Sequence, residues 1–200
     1  SHDLLQPLNA ARLFTGALLE HEVPAASSLL IRQVSHSLGD VENLLGTLVD
    51  ISKLDAGVIK PDIAAFKLSE LLDNLANEYR QIAAVEGLIM RFVGCDAVIR
   101  SDAQLLARIL RNFLSNAIRY TQSGRLLLGC RRQEHGLRIE VWDTGMGIPS
   151  DKLLEVFQEF KRVNPNANTK DRGLGLGLAI VDKIARMLGH RIRVRSWEGR

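Results

Sequence analysis

Three short stretches carry residue types whose spacing suits phosphate chemistry. In Asn112-Phe-Leu-Ser-Asn116, two amides stand four residues apart, so on a helix they share one face. An amide oxygen is a hard, neutral ligand, suited to a magnesium ion that keeps most of its waters and bridges to phosphates. Arg119, three residues on, would add a fixed positive charge. Asp143-Thr-Gly145-Met-Gly147-Ile-Pro149 follows a strand ending in Val141-Trp142. A carboxylate at a strand end can accept a hydrogen bond from an exocyclic amine, and the glycines let backbone come close. Gly173-Leu-Gly175-Leu-Gly177-Leu-Ala-Ile opens a helix, where free backbone N–H groups can meet phosphate oxygens. It is neither the P-loop nor the dinucleotide fingerprint, because no Gly-Lys-Ser/Thr follows and the glycine spacing differs. Between the glycine stretches, Lys161, Arg162, Lys170 and Arg172 face one acid, Asp171, in an Asn-rich loop that reads as a lid. Each stretch alone also has a plain reading: two surface asparagines, a tight turn, a glycine hinge, a disordered connection. Their order and spacing carry the weight.

These stretches need a scaffold. The first third reads as helix throughout. One helix covers about 1–21, with Leu4, Leu5, Leu8, Ala11 and Leu18, and breaks near Val23-Pro24. A second covers about 25–57, where Ile31, Val34, Leu38, Val41, Leu45 and Leu48 form a heptad seam; Gly57 ends it before Pro61. Two helices with one apolar stripe each cannot close a core, so a homodimeric four-helix bundle is expected. At about 1.5 Å per residue, the second helix spans roughly 50 Å and the first roughly 30 Å, so helix one is expected to begin upstream in a longer protein.

After Pro61 the texture changes. Leu68, Leu72, Leu75, Tyr79 and Ile82 mark an amphipathic helix, and Leu88–Val93 a strand. Ser101-Asp-Ala-Gln104 reads as a capping box opening a helix through Tyr120. Residues 125–132 and 137–142 read as an antiparallel pair turning near His135-Gly136. A short helix at 151–160, a helix to Leu188 and a strand at 192–197 complete the pattern. The expected fold class is α+β: a helical hairpin over 1–60, then an α/β sandwich over 61–200.

Composition excludes several classes. The 200 residues are 46% hydrophobic and 24% charged, and 26 basic against 23 acidic side chains leave a net charge of +3. That is too mild, and too evenly mixed, to argue for nucleic acid. No apolar run approaches bilayer length and no leader is visible, so no direct membrane contact is expected and the chain reads as cytoplasmic. Cys95 and Cys130 lack metal-ligand spacing and read as thiols of a reducing compartment; the pattern leaves a disulfide between them open.

In this order the stretches resemble those of the sensor histidine kinases of two-component systems. The second half resembles the ATP-binding fold that these kinases share with gyrase, Hsp90 and MutL (the GHKL type). The N box is Asn112–Thr121, the first glycine box Asp143–Pro149, the F box Phe157-Gln-Glu-Phe160, and the second glycine box Gly173–Gly177. Ser1-His2-Asp3-Leu4-Leu5-Gln6-Pro7-Leu8 resembles the phosphoacceptor box.

The resemblance implies ATP and Mg2+ as cofactors and His2 as nucleophile, with an imidazole pKa of ~6.5 leaving it largely neutral at cytoplasmic pH. Asp3 would orient the ring or take its proton. Asn116 would ligate the magnesium and Asn112 stand beside it at the phosphates. Asp143 would read the adenine amine, and Gly145, Gly147, Gly173, Gly175 and Gly177 would shape the pocket. Arg119, Tyr120 and Arg162 fall where the family places basic or aromatic groups around the nucleotide. The phosphoryl group would pass to an aspartate of a response-regulator receiver domain.

This sequence also departs from the family. Leu5 and Gln6 stand where Arg and Thr or Asn are common, and Gln6 would have to position a water for regulator dephosphorylation. The chain stops where the family continues into a last strand. An ATPase reading fits less well, because Asn112 stands where those ATPases carry a Glu base.

Overall fold

The computed structural model describes residues 2–21, 24–134, 136–161 and 175–199. The chain divides into two compact units, Ser1–Ile59 and Lys60–Arg200.

The first unit is two helices, α1 (His2–Glu20) and α2 (Ala25–Asp55), packed on one another. Arg12 reaches across to Glu42 at 3.4 Å. Along α2 the seam is unevenly covered: Ile31, Leu38 and Leu45 are half-buried, whereas Val34, Val41 and Leu48 stay exposed. On α1, Leu13 and Phe14 are 74% and 70% exposed. One helix can shield only one stripe of its partner, so a second apolar stripe faces outward.

The second unit starts with strand β1 (Ala64–Lys67) and runs into helix α3 (Leu68–Val85). Strands β2 (Ile89–Val93) and β3 (Val98–Ser101) follow, then helix α4 (Ala103–Tyr120). The hairpin strands β4 (Arg125–Gln133) and β5 (Gly136–Asp143) lead to two single 3-10 turns, Ser150–Lys152 and Glu155–Phe157, and helix α5 (Gly177–Leu188). The main sheet has the order β2-β4-β5, with β2 parallel and β5 antiparallel to β4; β1 and β3 form a separate antiparallel pair. Leu68, Leu72, Leu75 and Tyr79 of α3 and Leu106, Leu110, Leu114 and Ala117 of α4 recur at helical spacing. They meet Met90, Leu126, Leu128 and Cys130 on one face of the sheet, forming a helix-on-sheet core. Truncating the fully buried Leu114 to Ala would cost on the order of 2–5 kcal/mol.

Several expectations change. Ser101 does not cap α4: Asp102 does, accepting from the Leu105 amide at 2.9 Å while its other oxygen accepts from the Asp62 amide at 2.8 Å. Ser101 instead bonds His190 Nε2 at 2.8 Å. The helix expected at 151–160 is only the two 3-10 turns, and Phe160 adopts a φ of 61° that no helix continues through. Residues 192–197 keep alternating exposure but join no ladder, so the expected strand is absent. β1 and β3 went unread because four residues each, largely exposed, leave no long apolar alternation. Cys95 and Cys130 are not free thiols. The pairing of Val93 with Gly129 carries Cys95 to the flank of β4, and the two join as a disulfide with Cα atoms 5.6 Å apart. No helix among the described residues is long and apolar enough to cross a membrane.

At the end of α5, Gly189 turns left-handed and His190 donates its backbone N–H to Ala185 at 2.8 Å, closing a Schellman motif. Burial holds the His190 imidazole below its ordinary value. The folded chain therefore binds fewer protons there than the unfolded chain does. Its contribution leaves stability undiminished above about pH 6.5 and lowers it as pH falls through that value, by at most about 1.4 kcal/mol per pH unit. Denaturant midpoints measured through this window should fall on acidification, and His190→Gln should reduce the slope.

Candidate nucleotide-binding site

The site residues of the second unit gather around α4. Its N-terminus is pinned by Asp102, and the buried row Leu106-Leu110-Leu114-Ala117 fixes its rotation against the sheet. At about 100° per residue, Asn112 and Asn116 must then emerge on the flank of that row, and both are half-buried. The Asn112 Nδ2 donates to the Arg108 carbonyl at 3.0 Å, which leaves Oδ1 turned outward. A Cβ built on Gly177, the first residue of α5, would lie 2.6 Å from that Oδ1. Glycine at 177 is thus what lets the α5 N-terminus approach the amide.

At its other end, α4 meets the first glycine turn. Asp143 closes β5, and its Oδ1 accepts from the Gly145 amide at 2.9 Å, an Asx turn that leaves Oδ2 without a bond to that turn. A Cβ on Gly145 would sit 2.5 Å from the Tyr120 carbonyl oxygen, and Met146 donates its N–H to the same oxygen at 3.2 Å. Gly147 has a φ of +75°, and a side chain there would run into the Trp197 carbonyl. Ser196 Oγ accepts from the Ile148 amide at 2.7 Å and Gly199 donates to Met146 at 3.1 Å, so residues 196–199 form the outer wall of this turn. Arg119 and Tyr120 are exposed at the C-terminal end of α4.

The described part of the second glycine turn is held from the F-box side. Gly175 has a φ of +71°, and a Cβ there would lie 2.5 Å from the Lys161 carbonyl oxygen. Phe160 donates its N–H to the Gly175 carbonyl at 3.2 Å. Glu159 pairs with Lys183 of α5 at 3.2 Å, tying the two segments together.

Asn112, Asn116, Arg119, Tyr120, Asp143, Gly145, Gly147, Gly175 and Gly177 therefore lie on α4 or on the two turns abutting it. Arg162 and Gly173, with the rest of the basic loop 162–172, lie outside the described residues. His2, Asp3 and Gln6 lie in the first turns of α1, in the other unit. The sequence reading placed Thr121 at the end of the N box but gave it no role. Its hydroxyl is buried (4% exposed), adjoins the Tyr120–Gly145 contact and has no hydrogen-bond partner among the described residues. Such an orphan calls for a water or a polar ligand group, and only burial exposes it, not sequence. Ser196 and Trp197 were missed as the wall of the turn because their role rests on contacts nearly fifty residues distant in sequence. Among the described residues no cluster of three or more His, Cys, Asp or Glu could hold a metal by itself. The donor set fits an ion shared with a polyphosphate: Asn116 offers a neutral amide oxygen, and among the described residues there is no metal-holding carboxylate cluster.

Residues 101–200 match the family described as histidine kinase-, DNA gyrase B-, and HSP90-like ATPase. The autoinducer 2 sensor kinase/phosphatase LuxQ of Vibrio vulnificus is 33% identical over 98% of this chain and 24% of its own length. The sensor histidine kinase RcsC of Escherichia coli is 28% identical over the whole chain and 21% of its own length. The chain thus spans about a quarter of the curated relatives it matches. Among solved structures, full-length ShkA in complex with AMPPNP superposes with a TM-score of 0.80 at 26% identity, over 94% of this chain and 40% of that one. The helix-on-sheet unit with its glycine turns and the family match over half the chain together make this chain a member of the histidine kinase-, DNA gyrase B- and HSP90-like ATPase family.

Proposed function

We propose that this chain binds ATP in the cradle around α4, phosphorylates its own His2, and relays the phosphoryl group to an aspartate of a response-regulator receiver domain. The observation that carries this reading is the convergence on α4 of Asn112 against Gly177 and of the Tyr120 carbonyl against Gly145, beside Asp143. Asp143 Oδ2 would accept from the adenine amine, and the Thr121 hydroxyl would find its partner in the same corner. The α5 N-terminus, with Gly173, Gly175 and Gly177, would receive the phosphates on backbone N–H groups and a favourable dipole. Arg119 and Arg162 would balance phosphate charge, and Tyr120 would line the nucleotide. Asn116 would hold Mg2+, whose charge neutralises the polyphosphate when bound.

In the first step the neutral His2 ring nitrogen forms an N–P bond as the bond from the γ-phosphorus to the ADP oxygen breaks. Asp3 takes or orients the remaining ring proton. In the second step the N–P bond breaks as a receiver carboxylate forms an O–P bond. Little covalent assistance is required, because positioning and charge supply most of the acceleration. Gln6 would place a water that attacks the aspartyl phosphorus, breaking the O–P bond and releasing inorganic phosphate from the regulator.

We assign residues 1–60 to dimerisation and phosphoacceptance and 61–200 to catalysis. The outward apolar stripe of Leu13, Phe14, Val34 and Val41 is what a second copy would cover in a four-helix bundle. The fragment would work in the cytoplasm, where ATP and a receiver domain are both at hand.

Two outcomes are expected. Incubation with γ-labelled ATP and magnesium should give acid-labile label that disappears in His2→Gln; acid-stable label, or label surviving that change, would contradict the assignment. Gly177→Ala pushes only the mobile end of the Asn112 side chain, so denaturant stability should stay within about 1 kcal/mol of the parent chain. Its ATP affinity, by calorimetry, should fall about tenfold or more, because the Asn112 amide is displaced from the site. Unchanged affinity would remove Asn112 and Gly177 from the site.

A further inference from the structure

Among the described residues, helices α3 and α4 pack on one face of the β2-β4-β5 sheet and no helix packs on the other. Strand register places Ile89, Arg91 and Val93, then Arg125, Leu127 and Arg131, then Arg138, Glu140 and Trp142 on that outer face. Ile89 and Val93 are 67% and 56% exposed. Trp142 stacks on Trp197 with ring centroids 6.3 Å apart, and these are the two tryptophans of the chain. Along 191–197 exposure alternates, so Arg191, Arg193 and Arg195 share the exposed side with Trp197. Glu140 is the one carboxylate that the strand register puts on this face. It is already committed, to Arg131 at 2.7 Å, Arg138 at 3.6 Å and the Trp142 indole at 3.3 Å. Among the described residues no carboxylate pairs with Arg91, Arg125, Arg191, Arg193 or Arg195.

This is an apolar and aromatic centre set in arginine, with no lysine. Arginine and tryptophan are enriched where proteins meet, and lysine is depleted there. A membrane-binding polybasic segment has a different form, a run of Lys and Arg beside a span or on an amphipathic helix. A second copy of the same face would bring like charges together. With strands about 4.8 Å apart and a rise of about 3.3 Å per residue, the face measures roughly 15–20 Å on a side. That is below the ~800 Å² each partner gives to a stable complex, so the contact it supports is brief.

We propose that this face docks a folded protein domain with an acidic surface, transiently and mainly through charge. In the relay described above that domain is the receiver, and this identification rests on that reading. Arg91, Arg125 and the row Arg191-Arg193-Arg195 steer the partner, and the stacked tryptophans form the dry centre.

The tryptophans make the face its own reporter. The probe is a purified receiver domain of net negative charge that lacks tryptophan, titrated into the 200-residue chain while Trp emission is followed. The expected result is a saturable change whose affinity weakens several-fold between about 50 and about 300 mM salt. Arg91→Glu combined with Arg193→Glu should weaken it by about tenfold or more, with ATP affinity and His2 labelling unchanged. Binding that ignores the charge reversal overturns the proposal. So does an emission change given by phosphatidylglycerol vesicles or a single-stranded oligonucleotide and not by the receiver. Phosphoryl transfer is scored separately. Transfer to a receiver that leaves emission untouched overturns the face and spares the relay. A face-dependent emission change without transfer overturns the relay and spares the face.

Discussion

The burial of one stripe of α4 is the constraint on which the second unit depends. Leu106, Leu110, Leu114 and Ala117 must lie against the sheet and α3, and that single requirement sets the rotation of the helix. Asp102 fixes its translation by bonding both the Leu105 and Asp62 amides. With rotation and translation fixed, the position of every site group on the helix follows. Asn112 and Asn116 must emerge on one flank, and the Tyr120 carbonyl must point out of the last turn. The same hydrophobic contacts that hold the fold together therefore aim the polar groups, so the site needs little framework of its own.

Close backbone approach is the second constraint. Gly145, Gly175 and Gly177 each stand where a Cβ would fall within 2.6 Å of a carbonyl or amide oxygen. Two of these oxygens belong to α4, through Asn112 and Tyr120, and the third is the Lys161 carbonyl beside the F box. A side chain at Gly145 or Gly175 would force backbone segments apart, and one at Gly177 would push the Asn112 amide aside. The first unit obeys a different logic. Among its described residues, the two helices leave an outer apolar stripe open, which internal packing within the hairpin does not cover.

Elements set by strong local periodicity were readable from sequence. α3 and α4 follow from Leu68-Leu72-Leu75-Tyr79 and from the run that ends at Tyr120, and the β4–β5 hairpin follows from its two apolar strands around Gly136. Features set by partners distant in sequence were not. Ser101 resembles a cap, yet its hydroxyl goes to His190, 89 residues away, and the adjacent Asp102 does the capping. The alternation at 192–197 reads as a strand, but a ladder needs a neighbour and Trp197 spends its contact on Trp142. Cys95 meets Cys130 because β2 and β4 run parallel, a pairing that neither strand announces. In the site, the glycine and asparagine positions were legible as types at a spacing. The orphaned Thr121 hydroxyl was legible only once its burial was known.

As proposed, α4 and the two glycine turns together form one magnesium-dependent ATP site. Calorimetric titration of ATP into the chain, once with magnesium and once with a chelator, tests it most directly. Binding that weakens about tenfold or more without magnesium, and loses that dependence in Asn116→Ala, is the result expected of an amide-held, phosphate-bridging ion. Equal affinity with and without magnesium, or no binding in either condition, would contradict it.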